Sequence, residues 1–451
     1  MKIGLVSLGC SKNLVDSELM LGMLREYGYE ATDDPAEAEV LVVNSCGFIE
    51  SAKTESIETL LRLAEYKKTG CCRALILAGC LGQRYSGDLM ADLPEIDAIV
   101  GTGAWNRLPE AITAVFDGKR IVFTEGSAIL PTADMPRILS TPSHWAYVKI
   151  AEGCNHTCAF CAIPQIRGPL ISRTIESLRD EVAGLIAGGV REINLVAQDT
   201  TSYGIDLQGR PMLLDLLKTL TAIDGHFRIR ILYSYPKHFT ADLIEFMAAE
   251  PKICKYVDIP LQHVHDDLLR SMRRPDRRAD IERLIADLRS FMPDIAIRTT
   301  FIVGLPGETE EHYQELRAFV EEKRLDHVGV FQYSAEEGTD AASFAGQVAE
   351  DVKEERFNDL MAVQAGISEE INKTAEDREY EALLEGHDEE DPSLGYGRTE
   401  REAPDIDGTV YIENAGEVSV GNFVHVRIIQ GFCYDRMAEV FEPKEKGMTE
   451  L

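Results

Sequence analysis

No apolar run in the 451 residues approaches the roughly 18 that a membrane-crossing helix requires. The opening residues, MKIGLVSLGC, read as a strand and lack the apolar stretch and cleavage site of a secretory signal, so the expected location is the cytoplasm. Positive charge is also scarce: 46 Lys and Arg stand against 77 Asp and Glu, a net charge of −31. Affinity for nucleic acid is built from Lys and Arg contacts to phosphates, so the chain as a whole repels it, although a local basic patch can still bind RNA. A basic partner or simple solubility accounts for the sign. There is no P-loop, and GTGAWNR (101–107) lacks the third glycine and the βα context of a dinucleotide fingerprint, which leaves a turn.

What is present is an ordinary globular composition, 45% hydrophobic and 27% charged. At roughly 150 residues each, the length allows about three domains. IGLVSLGC, VLVVNSC and ALILAGC are apolar strands, each ending in a cysteine and separated by helix-like stretches such as DSELMLGMLREYG. That is a parallel α/β unit, expected over 1–135, whose crossovers bring the strands' C-terminal ends to one edge. A Pro-rich linker, Pro131 to Pro142, follows. YVKIAEGC, EINLVAQD, RIRILYS, YVDIPLQH, IAIRTTFIVG and HVGVFQYS then make six βα repeats over 140–377, a partial TIM-like (βα)6 barrel with its functional groups at the strands' C-terminal ends. Beyond a charged helix, short strands with glycine turns predict a small antiparallel β-barrel over 378–445. This last unit carries 17 Asp and Glu against 6 Lys and Arg, a net charge of −11.

The cytosol keeps thiols reduced, so the ten cysteines are expected to be metal ligands or core residues rather than disulfides. GCNHTCAFC sets Cys154, Cys158 and Cys161 at C-x3-C-x2-C in one tight loop. Three thiolates hold three irons of a cubane and leave the fourth open to a substrate, whereas electron-transfer clusters usually have four cysteines. The alternative, a structural zinc site, wants a fourth Cys or His, and His156 is badly spaced for it. This triad, with Phe160 before its last cysteine, resembles the signature of the radical S-adenosylmethionine superfamily. The resemblance implies a [4Fe–4S] cluster that binds S-adenosylmethionine and cleaves it reductively to a radical. It also implies cofactor contacts at Gln198 and Asp199, at Gln262 and its neighbour His263, at Arg298 paired with the cofactor carboxylate, and at Gly304 in TFIVGLPGE. Turns and surface ion pairs are the alternative reading of each.

Cys10, Cys46 and Cys80 end three strands of one sheet and each has a glycine neighbour, so they are expected to converge around a second cluster. Buried core thiols are the alternative. Cys71, Cys72 and Cys254 precede strands and fall at the opposite edges, and nothing around Cys433 resembles a ligand.

Two triads followed by a small barrel resemble, over essentially the full length, the radical S-adenosylmethionine methylthiotransferases, with a TRAM domain at the end. Membership implies two [4Fe–4S] clusters, one carrying the transferred sulfur. GCSKNLVDSE (9–18), NSCGFIESAK (44–53) and LYSYP (232–236) resemble the branch that modifies the β-carbon of an aspartate in a small-subunit ribosomal protein, uS12. Ser11 and Ser45 stand where that branch usually has Pro and Thr. The branch acting on transfer RNA usually shows GCQMN instead. Implied partners are a basic ribosomal protein, free or on the ribosome, and a reducing electron donor, with no direct transfer-RNA substrate. No catalytic acid–base residue is assigned. A transfer-RNA enzyme and a non-catalytic iron–sulfur protein that binds ribosomes remain as rivals.

Overall fold

The computed structural model describes residues 1–126 and 128–441. The last expected residues of the third unit, 442–445, lie outside them. Among the described residues no helix is long and apolar enough to cross a membrane.

Six parallel strands form the first sheet: β1 (Lys2–Ser7), β2 (Glu30–Ala31), β3 (Val40–Ser45), β4 (Ala74–Gly79), β5 (Ala98–Val100) and β6 (Ile121–Phe123), in the order β2-β1-β3-β4-β5-β6. β3 and β4 are buried along their whole length, which is why VLVVNS and ALILAG read as continuous apolar runs rather than alternating ones. In such an order the chain reverses direction across the sheet between β1 and β3, and helices leave to opposite faces there. The crevice at those strands' C-terminal ends is where doubly wound sheets bind ligands.

The six expected barrel strands all form: β7 (Trp145–Lys149), then, past a short hairpin of β8 (Ala151–Glu152) and β9 (Ile171–Ser172), β10 (Glu192–Val196), β11 (Arg228–Ile231), β12 (Tyr256–Asp258), β13 (Ala296–Val303) and β14 (His327–Gln332). They lie as two parallel ribbons, β11-β10-β7 and β12-β13-β14. A single bridge, Ile229 to Ile253, joins the ribbons beside β11. β14 does not pair with β7 among the described residues. The first unit closes that open side: Val15 and Leu19 of the helix Ser11–Glu26 share a core with Trp145, Tyr147 and Tyr256. The Pro-rich segment is packed rather than free, because Arg137 pairs with Glu18 (2.5 Å) and Glu181 (2.7 Å).

The C-terminal strands β15 (Glu379–His387), β16 (Gly395–Arg398), β17 (Val410–Glu413), β18 (Phe423–Gly431) and β19 (Arg436–Val440) close as β15-β16-β17-β19-β18. The expected all-antiparallel arrangement fails at one joint, where β17 and β19 run parallel. A ring with an odd number of strands cannot alternate in direction all the way round, so one parallel pair is unavoidable.

The loop after β16 plugs the N-terminal mouth of the six-stranded barrel. Glu192, at the start of β10 and fully buried, meets Arg228 (2.5 Å), Arg398 from the small barrel (2.9 Å) and Arg230 (3.5 Å). These guanidiniums hold its carboxyl well below the usual carboxylate range against the opposing effect of burial. Glu192→Ala leaves buried cations without their counter-charge, and the expected loss is about 3–5 kcal/mol in urea unfolding. A loss below about 1 kcal/mol, the size of an exposed pair, would refute this role.

Candidate active site

Cys10 caps the helix Ser11–Glu26, Cys46 follows β3, and Cys80 opens the helix Cys80–Asp92 directly after β4. All three therefore sit at the C-terminal edge, two of them at the switch point. Gly9 and Gly79 adopt φ of +87° and +88°, and a Cβ on Gly9 would come 2.8 Å from Cys46 Cβ. Only glycine permits both the turn and the close approach. Asn13 ties the loops together: its Nδ2 donates to the carbonyls of Leu8 and Ser45, both at 3.0 Å.

The second cysteine loop leaves β8. Cys154 N donates to Gly168 O (3.1 Å) and Ala159 N to Met272 O (3.0 Å), which fixes the loop at both ends. His156 props its middle, bonding Asp199 Oδ2 at 2.6 Å and stacking on Tyr235 with ring centroids 4.0 Å apart. It is a strut of the loop rather than a fourth ligand. Among the described residues no three His, Cys, Asp or Glu side chains converge on a single ion. All six cysteines instead line one cavity of about 460 Å³. Ligands ranged round a wider space suit a group of several irons better than one zinc ion, whose bonds are only about 2.0–2.3 Å long.

Burial pushes the Cys46 and Cys161 thiols up to about 12 and Cys154 to about 11, and raises Cys158 and Cys80 as well. Cys10 differs. Burial acts upward there too, but the charges of Lys12 and Arg167, with backbone N–H groups of Asn13 and Lys12, outweigh it and lower its pKa.

Between the triads lies a buried ionic group. Lys149 bonds Asp16 and Glu152 (2.7 Å to the latter), and Arg167 meets both carboxylates at 2.9 Å. Arg167 also donates to Asn13 and reaches Cys80 Sγ at 3.4 Å. At the mouth, Glu336 receives Arg84 (2.8 Å) and Lys53 (3.1 Å) from the first unit.

Of the expected cofactor contacts, Phe160, Gln198, Asp199 and Gln262 border the cavity. The Asp199 carboxylate is already engaged by His156, Thr201 and Ser202, whereas Gln198 Oε1 is buried without a partner and free to accept. Arg298 does not border the cavity: it shares a strand face with Thr300 and Ile302, which do, but lies deeper, where it pairs with Asp258 (2.9 Å) and with Asp407 of the plugging loop (3.4 Å). Gly304 and His263 do not border it either: Gly304 packs against the stem of Lys353, and His263 is fully buried against Glu308 at 3.3 Å. Cys71, Cys72, Cys254 and Cys433 do not border the cavity. Lys12, Tyr233, Arg274 and Arg167 do, and were not singled out from sequence, where each is one polar or aromatic residue among many.

A partial parallel barrel with a cysteine triad after its first strand belongs to the radical S-adenosylmethionine class of enzymes, and residues 148–320 match the Radical SAM superfamily. Residues 2–101 match the Uncharacterized protein family UPF0004 and residues 378–441 the TRAM domain. In fold the chain is similar to the radical S-adenosylmethionine methyltransferase TsrM of Kitasatospora setae, with a TM-score of 0.55 at 15% identity over 73% of this chain and 72% of that one. It is 50% identical to ribosomal protein uS12 methylthiotransferase RimO of Heliobacterium modesticaldum, over 99% of this chain and 96% of that protein. Identity to the proteins of the same name is 49% in Desulforamulus reducens (97% and 99% covered) and 48% in Geobacter sulfurreducens (97% and 98%). The chain belongs to the ribosomal protein uS12 methylthiotransferase family.

The thiolate is the reactive form of cysteine, and each pH unit below the pKa costs about tenfold in its fraction. In metal-free protein at pH 8, iodoacetamide is expected to label Cys10 ahead of the other five cavity cysteines, as read by peptide mass mapping. Equal rates across the six would contradict the charge arrangement.

Proposed function

We propose that the chain attaches a methylthio group to the β-carbon of an aspartate in ribosomal protein uS12, with the two cysteine triads as ligands of two [4Fe–4S] clusters. The observation that carries this reading is that all six cysteines open into one cavity. Cys154, Cys158 and Cys161 would hold the cluster that, with S-adenosylmethionine, supplies a hydrogen-abstracting radical, and Cys10, Cys46 and Cys80 would hold the one that carries the sulfur to be transferred, its methyl coming from a further S-adenosylmethionine.

The chain's own residues bind, orient and exclude water. His156, Asp199 and Tyr235 hold the radical loop in shape, and Asn13 with Arg167 holds the sulfur-side loop against it. Phe160, Phe48, Ile49 and Ile302 make much of the wall apolar, which keeps water from a reactive carbon centre. A C–H bond beside a carboxylate is only weakly acidic, and a side-chain base opens it where metal ions stabilise the ene-diolate that forms; a radical takes the hydrogen without that help, and no acid–base pair is assigned. The reading places the sulfur-carrying half in 1–135, the radical half in 140–377 and an anchoring role in the barrel that begins at 378. It also takes the partner to be a basic protein met in the cytoplasm, free or on the ribosome, and the electron source to be a separate reductant.

Anaerobic reconstitution is expected to load about eight irons per chain, and about four after Cys10, Cys46 and Cys80 are all replaced by Ala, with deoxyadenosine formation retained. About four in the unaltered chain would defeat the two-cluster assignment. Mass spectrometry of ribosomal proteins from cells with and without the gene is expected to show methylthio-aspartate in uS12 only when the gene is present. A modification that persists without the gene would defeat the substrate assignment.

A further inference from the structure

Burying a lysine is costly unless it meets a counter-charge. Lys149, Arg167, Arg228 and Arg398 each meet a carboxylate in the interior. Lys12 does not. It is 7% exposed and lines the cavity, yet no carboxylate of the described residues forms an ion pair with it. Its Nζ stands 3.2 Å from the centroid of the Tyr233 ring, beside Cys10.

Tyr233 is itself unusual. Its φ of 59° is a left-handed conformation that bulky residues avoid. The surroundings enforce it: Tyr233 N donates to Asp258 Oδ2 (2.9 Å), and its carbonyl accepts from Thr200 N (3.0 Å). The backbone is thus held in a costly shape that brings an aromatic face to the ammonium. The other cation of the cavity without a carboxylate, Arg274, is already engaged, since its Nη2 donates to Pro260 O (2.8 Å) and its guanidinium lies 4.1 Å over the Tyr235 ring. Arg274 adjoins Cys158 on the radical side, whereas Lys12 adjoins Cys10 on the sulfur side.

We infer that Lys12 receives the carboxylate of the target side chain, with the Tyr233 ring as the floor of that subsite. This rests on the reading that the target is an aspartate. The carboxylate is attached directly to the β-carbon, so anchoring it beside Cys10 holds the reacting carbon between the two triads. An asparagine offers the same shape without the charge, and a glutamate shifts its β-carbon by one methylene.

The test uses the reconstituted enzyme with S-adenosylmethionine and two synthetic peptides of the uS12 target loop, one with the aspartate and one with asparagine in its place. Binding is followed by fluorescence anisotropy and modification by mass spectrometry. The unaltered enzyme is expected to prefer the aspartate peptide by about tenfold or more. Lys12→Met, compared with the unaltered enzyme at equal iron content, is expected to reduce that preference to within about twofold with S-adenosylmethionine affinity unchanged. Lys12→Arg, which keeps the charge, is expected to retain the preference. The inference is overturned if K12M still discriminates, if K12R discriminates no better than K12M, or if K12M weakens S-adenosylmethionine binding and leaves peptide binding alone. An unaltered enzyme that modifies neither peptide overturns the aspartate reading itself, and the role of Lys12 with it.

Discussion

Two cysteine loops from distant parts of the chain must face each other across one cavity, and the interaction on which this depends is the buried group of Asp16, Lys149, Glu152 and Arg167. Two carboxylates and two cations leave it formally neutral, and all four residues are less than 10% exposed. Such a group adds little net stability, because desolvation offsets most of the attraction, but losing one member strands the others. Its contribution here is registry. Arg167 comes from the unit of the six-stranded barrel, yet it bonds Asn13 and Cys80 of the first unit, so a slip between the two would leave a guanidinium unpaired in the interior.

The same constraint explains a motif. In GCSKNLVDSE four polar residues of a helix, Asn13, Asp16, Ser17 and Glu18, are buried, which is unusual, and each of the four has a task. Asn13 ties two strand ends together, Asp16 joins the ionic group, Ser17 bonds Ser7 and Asn44, and Glu18 takes Arg137 from the linker. Composition marks this segment as an ordinary polar helix start. Only the placement of β7 and the linker against it reveals why those side chains are there. Much of the remaining fold was legible, because a parallel sheet writes itself as apolar runs ending at one edge, and Cys10, Cys46 and Cys80 fell where the strand pattern put them. The cofactor contacts were less legible. Alternation along β13 gives the face of Arg298 correctly, but its depth depends on a loop more than a hundred residues away that closes the barrel floor with Asp407. Gly304 likewise turns the chain beside Lys353, a residue of a helix that sequence places only as charged.

The C-terminal barrel changes the meaning of its own acidity. The sequence shows a net charge of −11 over this unit, and the structure sets the barrel at the N-terminal mouth of the six-stranded barrel, opposite the cavity. Arg398, Thr399 and Glu400 contact the starts of β10 and β11 through Glu192, Arg228 and Arg230. Its charge therefore lies at the end of the six-stranded barrel remote from the cavity, where it can bear on a basic partner only as a long-range field.

Charge is in fact split by scale. The chain carries −31 in all, but its cavity lining sets Lys12, Arg167 and Arg274 against only Asp199 and Glu336, both already engaged. Salt screens exposed charges within about 8 Å under physiological conditions, so the surface field governs encounter and fades before the cavity is reached. Inside, where water is scarce, each charge acts more strongly over a few ångströms than it would in solvent. An acidic exterior attracts a basic protein, and the cation left without a counter-charge inside, Lys12, suits an acidic side chain brought by it. A ribosomal protein that is basic overall and presents one aspartate on a loop satisfies both conditions, whereas RNA, negative at every nucleotide, is repelled by the first before it can meet the second.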